Sequence, residues 1–262
     1  MLDLFLWNVY LCRCRCRCMI ACRGVGQERQ FLSSHCIFTM ATRSSTLPGP
    51  GPADSTTTGT LKNRIFLVRH GLAESNVQGV LVSDPKDGVP SFGLVEKGEQ
   101  QAKEAGKKLE AILTDSGSTD DLTEKIVVIT SDFKRTFETA QFIHSHFKVK
   151  APLRTDILLR ERGLGEFHLR PWQEAYSVLL EQDRINPTQS VSGCETVSEM
   201  VVRVTRVLKT IEEEYTDKIV VLVSHGDPLQ VLWAICNGVP PNERYDHLKN
   251  FRNCDIREFI FV

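Results

Sequence analysis

The chain has 262 residues, 41% of them apolar and 25% charged, with a formal net charge of −1. This is ordinary usage for a globular protein, and it excludes a global basic field for nucleic acid or an anionic membrane surface. An anion site, if the chain has one, must be local, and the expected partner is a small molecule.

Residues 1–60 differ from the rest. "MLDLFLWNVYL" is apolar but too short and interrupted to span a bilayer. Its positive charges follow the apolar run instead of preceding it, which is wrong for a secretory signal. "CRCRCRCMIACRGVGQER" is Arg-rich and nearly free of acid, and "SSTLPGPGPADSTTTGT" is rich in Pro, Gly, Ser and Thr. Two readings stand together: an organelle transit peptide, or a disordered leader with Met40 as an alternative start. The expected location is accordingly cytoplasmic, or plastid or mitochondrial if the leader is an import signal. Nine cysteines, six of them before residue 37, have an odd total and no repeating spacing. That argues against a secreted disulfide framework.

From residue 61 onward, apolar runs alternate with amphipathic ones, so 61–262 is read as one catalytic domain. "RIFLVRH" is a buried strand bounded by charge. "EKGEQQAKEAGKKLEAIL" places Ala102, Ala105, Leu109 and Ile112 on one helix face. "EKIVVITS" is a second strand, leading into a helix with Phe133, Phe137, Ala140 and Phe147 in phase. A further helix carries Val197, Val201, Val204 and Ile211, with Glu195 near its start as a partner for the helix dipole. "KIVVLVSHG" is a third strand, followed by the apolar helix "PLQVLWAICNG", and "IREFIFV" offers a last strand. β-branched runs separated by helices predict a three-layer α/β fold, a mainly parallel sheet covered on both faces.

Sites in such sheets gather at the carboxyl ends of the strands. Three strands end in reactive side chains: Arg69-His70, Ser131-Asp132 with Arg135 just beyond, and Ser224-His225. Arginine offers a planar fork of donors that matches phosphate oxygens, and a neutral imidazole can attack phosphorus to form a covalent intermediate. From residue 61 onward no Gly-rich phosphate loop, HExxH or zinc-spaced cysteine pair is present in the sequence. Neither a metal nor a cofactor is therefore expected.

"LVRHG" with Asn76 after it, "FGLVEKGEQQA", "TSDFKRTFETA", "LLRERGLGEF", "VSGCETVSEMVVRV" and "VVLVSHGDPLQVL" occur in that order. Together they resemble the signature segments of the histidine phosphatase superfamily, which includes the cofactor-dependent phosphoglycerate mutases. The resemblance implies a phosphoglycerate mutase-like fold and a role for each matched position. His70 would be the nucleophile that becomes phosphohistidine, Arg69 and Arg135 would clamp phosphate, and Asn76 would contact a phosphate oxygen. His225 would complete the pocket, and Glu161 would be the general acid, with Glu166 in the same loop as the rival carboxyl. The segment "VQGVLVSDPKDGVPSFG" and the region of Trp172 and Tyr176 would wall the substrate. Where the mutases have "RHYG" after the acid and a long insertion with paired arginines, this chain has "RGLG" and a short stretch. Hydrolysis of a phosphomonoester, a small phosphorylated metabolite, is therefore expected ahead of mutase-type transfer. A non-catalytic phospho-ligand binder is the alternative of a different class.

Overall fold

A computed structural model describes residues 61–115 and 121–260. The leader read over residues 1–60 lies outside them. The described chain runs β1 (Arg64–Arg69), α1 (Glu74–Gln78), α2 (Glu96–Asp115), β2 (Ile126–Thr130), α3 (Lys134–His146), β3 (Arg154–Thr155), α4 (Trp172–Ile185), α5 (Val197–Glu214), β4 (Ile219–Ser224), α6 (Gly226–Cys236) and β5 (Ile256–Phe259). Short helical turns lie between several of these elements.

The sheet order is β3-β2-β4-β1-β5. β1, β2, β3 and β4 run parallel within it, and β5 pairs antiparallel with β1 at the edge. Alternate strand residues face opposite cores, as the two-residue period of a strand requires. Ile65, Leu67, Val127, Ile129, Val220 and Leu222 pack with α5 and α6 on one face. Phe66, Val68, Ile126, Val128, Val221 and Val223 pack with α2 and α3 on the other. The mainly parallel, three-layer reading thus holds, and burial on both faces explains why these strands read as unbroken apolar runs.

The differences from the sequence reading are local. β3 is two residues long and carries no periodic signal to find. Phe133 is the N-cap residue of α3, and Phe137 is only half-buried, because Thr136, Thr139 and Ile143 take the inner face with Ala140. Glu195 stands one residue before the cap of α5. Thr196 caps that helix in a capping box with Glu199, and Glu195 pairs with Arg203. A third small cluster joins α4 to the loop after Glu161 through Leu164, Ala175, Leu179 and Cys194. Among the described residues no helix is long and apolar enough to cross a membrane.

Strand register sets the site. Arg69 is the partner of Ser224 across β1 and β4, and the His70 backbone N–H continues that ladder to the Ser224 carbonyl at 3.1 Å. The two residues that follow a matched pair of strand ends are therefore the two histidines. α2 holds the loop after β1 in place by close approach. A Cβ on Gly98 would lie 2.0 Å from the Leu72 carbonyl oxygen, and one on Gly71 would lie 2.5 Å from that of Gly98. Neither position tolerates a side chain.

Candidate active site

His70 sits at the floor of a cleft of about 500 Å³, which is also lined by Arg69, Asn76, Arg135 and Glu161. Its Nδ1 lies 2.7 Å from the Gly71 carbonyl oxygen. Since that oxygen can only accept, Nδ1 carries the proton and Nε2 keeps its lone pair. Arg135 Nε donates to this Nε2 at 3.3 Å, and Arg135 Nη2 donates to the Val82 carbonyl at 3.0 Å. Burial first, then the charges of Arg135 and Arg69, hold the His70 imidazole well below the ordinary histidine range. It is neutral at physiological pH. Burial also lowers Arg135, to about 10, which leaves it a cation there.

His225 is fully buried and lies behind His70, with ring centroids 5.3 Å apart, and it does not line the cleft. Its Nε2 is 3.0 Å from Ser131 Oγ, and its other face packs edge-on against Phe133. Burial and Arg135 keep it neutral as well. Arg69 Nη1 donates to the Phe251 carbonyl at 2.6 Å. Arg69 Nε, Arg135 Nη1 and His225 Nδ1 are buried nitrogens with no hydrogen-bond partner among the described residues. Unpaired buried polar atoms are rare and call for a reason; three on neighbouring residues suit an anion-binding site.

Asn76 is exposed at α1, where its Oδ1 accepts from the Ala73 backbone N–H at 3.0 Å, leaving the amide NH₂ as its donor. Glu161 Oε1 accepts two backbone N–H groups, from Arg162 at 3.0 Å and Asp227 at 3.3 Å. Burial, and next the charge of Asp227, raise its carboxyl above the ordinary glutamate range, against Arg135 and Arg69. Glu166 is exposed and lies outside the cleft lining. The Glu161 loop is clamped by Arg203, which donates to the Leu158 and Arg160 carbonyls at 2.6 and 2.9 Å and pairs with Glu195. Asp132, next to Ser131, points its charge elsewhere: it forms a forked pair with Arg160.

The cleft walls come from Gly79 to Val82 and from Trp172, Tyr176 and Leu180 on α4. Both expected wall segments contribute, although residues 83–93 of the first one do not line the cleft. Sequence reasoning missed Tyr245, Gln230, Asn250 and Phe251, which also line it. They come from α6 and from the chain between α6 and β5; Gln230 lies inside the "VVLVSHGDPLQVL" segment, and no motif marks the other three. Among the described residues no group of three or more His, Cys, Asp or Glu side chains is placed to hold a metal ion.

The sequence model of the histidine phosphatase superfamily (branch 1) matches residues 65–261. The chain belongs to that superfamily. Phosphoglycerate mutase-like protein AT74H of Arabidopsis thaliana is 25% identical over 75% of this chain and 73% of its own length. The probable phosphoglycerate mutase GpmB of Erwinia tasmaniensis is 30% identical, covering 74% and 82%. The uncharacterized phosphatase PhoE of Bacillus subtilis is 25% identical, covering 71% and 83%. Among solved structures, a mycobacterial glucosyl-3-phosphoglycerate phosphatase in complex with VO3 superposes with a TM-score of 0.59 at 22% identity, covering 74% of this chain and 91% of that one. YhfR of Bacillus stearothermophilus gives 0.61 at 20% identity, covering 76% and 94%. These two establish the shared histidine phosphatase fold.

Proposed function

We propose that this histidine phosphatase-family chain hydrolyses phosphomonoesters through a phosphohistidine on His70. The observation that carries the reading is the fixed tautomer: Nδ1–H is held by the Gly71 carbonyl and the lone pair of Nε2 faces Arg135. In the first step Nε2 attacks phosphorus and the bond to the leaving oxygen breaks, that oxygen taking the proton of Glu161. In the second, Glu161 as carboxylate takes a proton from water as the water oxygen attacks phosphorus. The P–N bond then breaks, phosphate leaves, and His70 is neutral again. Arg69 and Arg135 carry the charge of the transferring group, the Asn76 amide donates to one of its oxygens, and neutral His225 backs the nucleophile.

Hydrolysis is favoured over mutase-type transfer by the charge of the cleft. Apart from Arg69 and Arg135, no cationic side chain among the described residues lines it. A mutase must hold a second anionic group while the substrate reorients, and the walls here offer aromatic rings and amides. The substrate class that suits them is a monophosphate with an uncharged remainder. The names of the relatives divide between phosphatase and mutase, so they do not decide the point.

The test compares glycerol 3-phosphate with 3-phosphoglycerate, which share a skeleton and differ by a carboxylate, with EDTA present throughout. Phosphate release should favour glycerol 3-phosphate by about tenfold or more in kcat/KM, a difference of about 1.4 kcal/mol. Conversion of 3-phosphoglycerate to its 2-phospho isomer without phosphate release would overturn the reading.

A further inference from the structure

We propose that Asp227 is a positioning residue for Glu161: a buried negative charge behind the acid that opposes the two phosphate-binding arginines and keeps the acid's proton in place until the leaving oxygen takes it. The inference rests on the reading of Glu161 as the general acid.

Asp227 is the second residue of α6 and has no exposed surface. Its backbone N–H is donated to Glu161 Oε1, 3.3 Å away. With the Arg162 N–H on the same oxygen, this leaves Oε2 as the oxygen to carry a proton. The Asp227 side chain is held differently. Its Oδ1 accepts from the Tyr245 hydroxyl. Arg162 Nη1 and Arg244 Nη2 each approach its carboxylate only to 3.8 Å, close enough for an ion pair but too far for a hydrogen bond, and among the described residues Oδ2 has no hydrogen-bond partner. Both arginines are engaged by Asp183 instead. Arg162 makes a forked pair with it, 2.8 Å on each arm, and Arg244 reaches it at 3.0 Å.

A buried carboxylate with one oxygen unpaired is costly to fold around. An asparagine would accept from Tyr245 equally well, so that hydrogen bond does not require the charge. Two other features call for it: the buried Arg162 and Arg244 guanidinium groups 3.8 Å away, and the surroundings of Glu161. Arg69 and His70 face it from the end of β1, Arg135 from α3, Arg162 from its own loop, Tyr176 from α4 and Asp227 from α6. Of these the cations favour the ionised acid, and a neutral His70 and an un-ionised Tyr176 add no charge. Asp227 is the anion in the set. Without it only burial would oppose the phosphate-binding arginines, which favour loss of the proton before substrate arrives.

The experiment is a pH titration of Glu161 in the full chain by carbon NMR, with ¹³C-labelled glutamate and the signal assigned by its loss in Glu161→Gln. Asp227→Asn should lower the titration midpoint by about one unit, the usual effect of one nearby charge in a partly buried site. Tyr245→Phe, which disturbs the same packing without removing the charge, should not lower it. If the asparagine variant does not fold, Asp227→Ser removes the same charge with a smaller side chain and takes its place. A midpoint unmoved by loss of the charge overturns the inference. With an alkyl phosphate, the alkaline limb of kcat should move down by the same amount in Asp227→Asn. A shifted midpoint in a protein that releases no phosphate would sink the phosphatase reading and leave the coupling standing. An unmoved midpoint in an active enzyme would do the reverse.

Discussion

Arg135 Nε donates to His70 Nε2 across 3.3 Å. The group that would clamp phosphate and the atom that would attack it are therefore already in contact. The bond is long, near the weak limit for N–H donors, so exchanging it for a phosphate oxygen forfeits little. Arg135→Lys keeps a charge but loses the fork and the Nε donor. It is expected to lower kcat by roughly 10²–10³, the scale for removing one transition-state donor. Steady-state kinetics that stay within threefold of wild type would remove Arg135 from the clamp.

Two carboxyls compete for the acid's role, and only Glu161 lines the cleft. Glu161→Gln should lower kcat with alkyl phosphates by about 10²–10⁴. The loss should shrink with p-nitrophenyl phosphate, whose leaving group barely needs a proton. Glu166→Gln should leave both rates near wild type, and the opposite pattern would exchange the two assignments.

The histidines make stability pH-dependent. Burial, and then Arg135, hold His70 and His225 well below 6.5 in the folded protein. The unfolded chain binds protons at both near pH 6.5 and the folded chain does not. Stability contributed by the neutral rings is therefore fully present above about 6.5 and is lost as pH falls toward the lower folded values. The slope approaches about 1.4 kcal/mol per pH unit for each histidine. Urea unfolding between pH 7 and pH 5 should show a smaller drop for His225→Asn than for wild type. Parallel curves would mean that His225 is not buried as a neutral ring.

The pairs of Asp183 with Arg162 and Arg244 carry stability. Asp183 is 4% exposed, and its removal leaves two buried guanidinium groups with only the Asp227 carboxylate, 3.8 Å from each. Asp183→Ala should cost about 3–5 kcal/mol and lower Tm by roughly 10 °C. Arg184→Ala, which breaks an exposed pair with Asp246, should cost less than about 1 kcal/mol. Calorimetry on the two variants compares them directly. Equal losses would contradict the burial of the network.

The two halves of this site were not equally legible in sequence. Arg69-His70 and Ser224-His225 stand at the ends of apolar runs, and strand register carries them to adjacent positions. A local pattern therefore sufficed. Arg135 needed the superfamily's spacing, since alone it reads as a solvated helix residue and only folding buries it at 3% exposure. The Asp227 network had no such signal. Asp183 lies 21 residues from Arg162 and 61 from Arg244, and nothing local marks a charge that will be buried. Asp227 itself reads as an acid at a helix start, a common surface feature. Its backbone contact with Glu161 and the place of its charge beside that acid are brought about only by the fold.

The central claim is a covalent bond between His70 and phosphorus. Wild-type protein mixed briefly with ³²P-labelled substrate and denatured in alkali should retain label that is stable in base and lost in acid, as phosphohistidine is. Peptide mapping should place it on His70, and His70→Ala should carry none. Label that persists in His70→Ala, or a wild type that turns over substrate while trapping none at the shortest times, would contradict it.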